Sequence, residues 1–151
     1  MGADSGALAD FVSTMGGDRA LRVEESLGEG FVRLRVAEAE RRQAKHDVRC
    51  VEDALIEMLR NARDAGARHI YVATAREGDL RATTMLDDGS GIPDDMHDRV
   101  FEARVTSKLE SVHMDRWGIH GRGMALFSIR ENAVSAEVVS SAPGKGTALR
   151  V

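Results

Sequence analysis

Glu57, Asn61 and Asp64 fall at spacings of four and three residues in the segment Glu57-Met58-Leu59-Arg60-Asn61-Ala62-Arg63-Asp64-Ala65, which puts them on one stripe of any helix formed there. The other faces of that helix carry Val51, Ala54, Leu55, Met58, Leu59, Ala62 and Ala65, so an apolar helix would hold a carboxylate, an amide and a second carboxylate in register. A buried polar row costs stability unless something binds it, and the stripe reads as one wall of an active site. Farther along, Gly118, Gly121 and Gly123 precede an apolar run with helical character, where backbone N–H groups can face an anion, phosphate being the natural candidate. Taken alone, such a glycine cluster reads as well as a flexible loop leading into a helix. Asp87 ends a β-rich run just before Gly89 and Gly91, leaving room beside its carboxylate for a flat ligand, although an Asp-Asp-Gly turn explains the same residues.

The helix that must carry the stripe is expected over residues 47–65, stopped by Gly66, which suits the position just past a helix end. Residues 69–74 and 80–86 are rich in β-formers and flank Glu77-Gly78-Asp79, so they predict two antiparallel strands, the second delivering Asp87 to the glycine turn. Asp94 and Asp95 open a helical stretch through Phe101, where acidic residues favour the positive end of the helix dipole. Residues 107–117 read as polar, irregular and mobile, and residues 124–129 as a buried helix. Strands over 134–140 and 147–151 flank the turn Ala142-Pro143-Gly144-Lys145-Gly146. Ahead of the stripe, residues 5–15 predict a weak amphipathic helix through Leu8, Phe11 and Val12. Residues 31–36 predict a strand, and the polar run 38–45 a solvated face.

With 151 residues, 42% of them hydrophobic, the chain is expected to form one compact domain. A formal net charge of −4 argues against a general nucleic-acid or membrane surface. Cys50 is the only cysteine, which removes an intramolecular disulfide framework and a multi-cysteine zinc site; it reads as a small buried side chain, and a reducing, cytoplasmic setting fits. His113, His120 and Trp117 have no metal-ligand spacing and read as packing or solvent contacts. Residues 1–6 lack the basic start and apolar run of a secretory signal, and no apolar run is long enough to span a bilayer.

In order along the chain, the acidic-amide helix, the turn Asp87-Asp88-Gly89-Ser90-Gly91, the glycine-rich stretch 118–124 and the terminal Gly144-Lys145-Gly146-Thr147 resemble the gyrase, chaperone, histidine kinase and MutL superfamily of ATP-binding domains. The resemblance covers residues 51–151 and implies an α+β fold of Bergerat type, a two-layer α/β sandwich with helices packed on one face of a mixed, mostly antiparallel sheet. It implies an ATP-binding domain over residues 47–151 with a lid near 107–123, residues 1–46 being an N-terminal extension that packs on it. ATP and Mg2+ are the implied cofactors. Asn61 would be the magnesium ligand, its neutral oxygen completing a shell of phosphates and water. Asp64 would line the nucleotide pocket, Asp87 would accept a hydrogen bond from the adenine amino group, and Thr147 would support the same base edge. Gly89 and Gly91, with Ile92 beside them, would permit close approach to base and sugar. Gly118, Gly121, Arg122, Gly123 and Met124 would wrap the phosphates through backbone N–H groups, and Lys108 would add a cation to the lid. One departure stands out: the family usually shows Asp-Asn-Gly where this chain has Asp87-Asp88-Gly89, and the extra charge either weakens nucleotide affinity or faces solvent.

The branch within the superfamily is divided. Gly91-Ile92-Pro93, Val100-Phe101-Glu102, Thr106-Ser107-Lys108 and the closing residues 141–147 look like a histidine kinase, whereas Asn61-Ala62-Arg63-Asp64-Ala65-Gly66-Ala67 looks like mismatch-repair MutL. At the place of Glu57 most histidine kinases carry Asn, while the hydrolytic branch carries a Glu that orients and deprotonates the attacking water. Anti-sigma and dehydrogenase kinases also share a Glu. Three functions therefore stay open: slow, magnesium-dependent ATP hydrolysis within a larger protein, phosphotransfer to a protein histidine or serine, and a nucleotide-gated interaction module with little turnover. Lys45-His46-Asp47-Val48-Arg49 superficially resembles a phosphoacceptor box but lies too close to Glu57 in the chain for the expected reach. The expected partners are ATP, further domains or a partner protein, and a second copy in an ATP-dependent dimer, with neither membrane nor nucleic acid expected for this chain alone. Its end in a strand suggests a longer parent.

Overall fold

The computed structural model describes residues 23–107 and 123–151, and the backbone alone of residues 113–115 and 118–120. Along the chain come β1 (Val23–Gly28), β2 (Phe31–Leu34), α1 (Glu38–Asp47), α2 (Val51–Asp64), β3 (Ile70–Glu77) and β4 (Leu80–Asp87). Two short 3-10 turns, Asp94–Met96 and Arg99–Phe101, lead to β5 (Val105–Thr106), β6 (His113–Asp115), β7 (Gly118–His120), α3 (Ala125–Asn132), β8 (Glu137–Ser141) and β9 (Thr147–Arg150). The fold is α+β, and every ladder among the described residues is antiparallel. The main sheet has the order β3-β4-β9-β8, and a second sheet has the order β1-β2-β5.

The pairing of β3 with β4 runs from Ile70 opposite Asp87 to Glu77 opposite Leu80, closed by Gly78 at φ 59° and Asp79. Two-residue hairpin loops that match strand twist require such a positive φ, which glycine adopts without steric cost. Alternation then sorts the faces of β4. Thr83 and Met85 are buried, while Leu86 and its cross-strand partner Tyr71 lie on the open face. α2 covers the inner face with Ala54, Met58 and Ala62, which meet Met85, Leu149 and the fully buried Ile129 of α3 in one core. Each large apolar side chain buried there contributes roughly 1.5–3 kcal/mol, and the cluster fixes which stripe of α2 remains for the polar row.

Several expectations are corrected. The helix expected from residue 47 starts at Val51, because Val48 and Cys50 are extended and Asp53 accepts the Arg49 N–H at 2.9 Å, an acceptor near the helix start. Cys50 is therefore exposed at the helix entry rather than buried. The polar run 38–45 is the solvated face expected of it, and it is carried on α1, in which Ala44 alone is buried. In place of one helix over 94–101 there are two 3-10 turns. Part of the stretch expected to be irregular, residues 113–115, pairs with Gly118–His120 as a two-stranded ladder. The helix expected over residues 5–15 lies outside the described residues.

One buried cation ties the second sheet to the helices. Arg104 has no exposed surface; its guanidinium pairs with Glu40 of α1, and its own backbone sits at φ 64°. Its N–H donates to the Gly123 carbonyl at 2.8 Å and its carbonyl accepts the Leu34 N–H at 2.9 Å. β2, α1 and the residues leading into α3 are thereby held at one point beside the candidate site.

Candidate functional site

α2 and the ends of β4 and β9 enclose a cavity of about 420 Å³, within the ~300–1,000 Å³ range of small-molecule sites. Glu57, Asn61 and Asp64 line it from α2, Asp87 from the end of β4, Gly91 and Ile92 from the following turn, Gly123 and Met124 from the entry to α3, and Thr147 from the start of β9. The helical spacing accounts for the first three. The sheet accounts for another pair, since Asp87 and Thr147 are direct cross-strand partners. Gly89 is set back behind this surface. A Cβ there would lie 2.8 Å from the Ala65 Cβ, so its closest approach is to the end of α2.

Hydrogen bonds fix what the cavity presents. Asp87 Oδ1 accepts the Gly89 N–H at 2.8 Å, which leaves Oδ2 without a protein partner among the described residues. The Ser141 hydroxyl donates to the Gly146 carbonyl at 2.8 Å while its oxygen accepts the Ile92 N–H at 2.7 Å. With that single proton used, the 3.0 Å contact between Ser141 Oγ and Thr147 Oγ1 has Thr147 donating, so the Thr147 hydroxyl, on a residue that lines the cavity, is left to act as an acceptor. Asp87 and Thr147 together thus form an acceptor edge suited to an amino group.

The glycines of the two turns fit against each other. Gly91 sits at φ 75°, and a Cβ on it would be 1.9 Å from the Ala142 carbonyl oxygen; one on Gly146, at φ 79°, would be 1.9 Å from the Asp87 carbonyl oxygen. Only glycine permits this approach, which aligns the carboxylate turn with the closing turn.

The charges follow a definite pattern. Asp64, its side chain 7% exposed, takes the Arg63 Nε–H at 3.0 Å. Arg60 pairs with Glu57, and both line the cavity. Asp88, the departure in the second motif, points elsewhere: Oδ1 accepts the N–H groups of Arg68 and His69 at 2.7 and 2.9 Å, and Oδ2 lies 2.8 Å from His69 Nδ1. Those hydrogen bonds, the His69 backbone foremost, hold its carboxyl well below the usual carboxylate range. Its charge is used on the entry to β3 and does not line the cavity.

Of the remaining candidates, Lys108, Gly121 and Arg122 lie outside the described residues, as does Trp117. Gly118 begins β7, opposite Asp115, and among the described candidates Gly123 and Met124 directly precede α3. Sequence reasoning missed Arg60 and Ser141. A check for cations one turn from Glu57 finds the first, and pairing the closing strands across the Pro-Gly turn, which sets Ser141 opposite Thr147, finds the second.

Residues 46–151 match the family model described as histidine kinase-, DNA gyrase B-, and HSP90-like ATPase. The chain belongs to this family. Membership implies ATP as the ligand, and every cavity residue named above from α2, β4, the α3 entry and β9 falls in the matched span. Among curated relatives, the DNA mismatch repair protein MutL of Thermus thermophilus is 40% identical over 83 residues, 55% of this chain and 15% of that protein. The MutL proteins of Chelativorans sp. and Acidiphilium cryptum are 44% and 39% identical over 73 and 100 residues, covering 48% and 65% of this chain and 12% and 17% of theirs. The match therefore spans only 12–17% of these relatives' length. Among the described residues no helix is long and apolar enough to cross a membrane.

Proposed function

We propose that this chain is an ATP-binding domain that hydrolyses ATP with magnesium, slowly and as part of a larger protein, with Glu57 as general base. The observation that carries the proposal is that Glu57 lines the same cavity as the Asp87–Thr147 acceptor edge and Asn61. In this reading Asp87 Oδ2 accepts a proton of the adenine amino group, and the triphosphate runs along α2 toward Glu57. The backbone of Gly123 and Met124, leading into the positive end of α3, meets phosphate oxygens. Among the described residues no group of three His, Cys, Asp or Glu side chains is placed to hold a metal, so Mg2+ would be held by the Asn61 amide oxygen together with oxygens of the triphosphate. Bound there, the ion supplies neutralisation of phosphate charge.

Glu57 then orients a water molecule at the terminal phosphate and accepts its proton as the water oxygen bonds to phosphorus and the bond to ADP breaks. The similarity to several MutL proteins favours this hydrolytic branch over protein phosphorylation. Purified chain incubated with γ-labelled ATP and Mg2+ should release labelled phosphate. Glu57→Gln should lower the turnover rate on the order of 10²–10⁴-fold, the usual contribution of a positioned base, while ATP binding persists. Label transferred to protein would replace hydrolysis by kinase chemistry, and tight binding with neither product would make the chain a nucleotide-gated module.

A further inference from the structure

We propose that Arg60 binds the terminal phosphate of ATP, leaving Glu57 for the phosphate when nucleotide arrives, and that this exchange makes the site distinguish ATP from ADP. The inference rests on the reading of the cavity as an ATP site with Glu57 as its base.

The pairing of Arg60 with Glu57 is one helical turn long, the kind of contact that on a solvated face means little. These two side chains are only 18% and 24% exposed and both line the cavity, whereas the Glu38–Arg42 pair of α1 is 70% and 77% exposed. Charge makes the position consequential. Among the described residues lining the cavity, Asp47, Glu57, Asp64 and Asp87 bear carboxylates and Arg60 is the single Lys or Arg. Arg63, the neighbouring cation on α2, is turned to Asp64 and does not line the cavity. A triphosphate entering a wall of carboxylates needs a cation, and Arg60 sits beside the residue assigned to the terminal phosphate.

The guanidinium is suited to the exchange. It carries five N–H donors in a planar fork that matches a phosphate bidentately, and Glu57 is its one protein partner among the described residues. Without nucleotide, Glu57 Oε1 is engaged by Arg60. A γ-phosphate offers the fork a more highly charged acceptor, and the turn of Arg60 toward it frees the Glu57 oxygen for water. ADP has no group at that position and leaves the pair intact, so base release is tied to the arrival of the hydrolysable nucleotide.

The test is isothermal titration of the whole chain with ADP and with the β,γ-imido analogue of ATP at fixed Mg2+, using wild type, Arg60→Gln and Arg60→Lys. Arg60→Gln should weaken the analogue about tenfold or more, the scale of a hydrogen bond to a charged group, with ADP affinity within about twofold; Arg60→Lys should recover part of the loss. Parallel changes for both nucleotides, or no change for either, would overturn the role of Arg60 while leaving the ATP site in place. If wild type binds neither nucleotide, the ATP reading and this inference fall together.

Discussion

Asp88 departs from the family's usual Asp-Asn-Gly, yet its carboxylate is turned to the backbone of Arg68 and His69 and to the His69 ring. Asp88→Asn retains an oxygen for the backbone donors and should leave ADP affinity within about twofold in a binding titration, since the side chain does not line the cavity. The same substitution should alter acid sensitivity. A carboxyl held below its unfolded value of about 3.9 is stabilising in the ionised form; that stability is complete above about pH 4 and is lost as pH falls toward the folded value. The urea midpoint should therefore drop more between pH 6 and pH 3 in wild type than in Asp88→Asn. At this scale, Glu57, Asn61, Asp64 and Asp87 were legible because helical period and strand ends place them without tertiary knowledge. Arg60 and Ser141 were not, since their roles depend on which face meets the cavity and on which strand lies opposite. Cys50 was misread because its residue type favours burial, whereas its place at the entry to α2 exposes it.

Among the elements, α2 and the β3–β4 hairpin followed from local pattern: one apolar stripe at helical period, and two β-rich runs around a glycine turn. The stretch 94–101 carried acidic residues suited to a helix start, but its Met96 N–H bonds the Pro93 carbonyl and its Phe101 N–H bonds the Asp98 carbonyl, and the run remains two 3-10 turns. β6 and β7 were hidden by their polar composition. The junction between the two glycine turns yields a prediction at this scale. Gly146→Ala combines a positive φ with a Cβ directed into the Asp87 carbonyl, so β4 and β9 must separate where Asp87 and Thr147 face each other. Thermal or urea unfolding should show a loss of about 2 kcal/mol or more, and nucleotide affinity should fall with it. Gly144→Ala, also at positive φ but with open space around its Cβ, should cost less and leave binding closer to wild type.

For the molecule as a whole, the order of the four motifs carried the fold class through the family resemblance, and the α+β architecture agrees with it. The attachment of residues 31–34 to 105–106 was beyond sequence pattern, since no periodicity records a register between segments so far apart. In the proposed reading the convergence of the four motifs is an adenine-nucleotide site. The decisive measurement is isothermal titration of ATP into wild type and Asp87→Asn with Mg2+ present. The exchange replaces a charged acceptor by a neutral amide at the adenine edge, so wild type should bind and Asp87→Asn should lose affinity by about tenfold or more. Wild-type affinity retained in a folded Asp87→Asn chain would contradict the assignment.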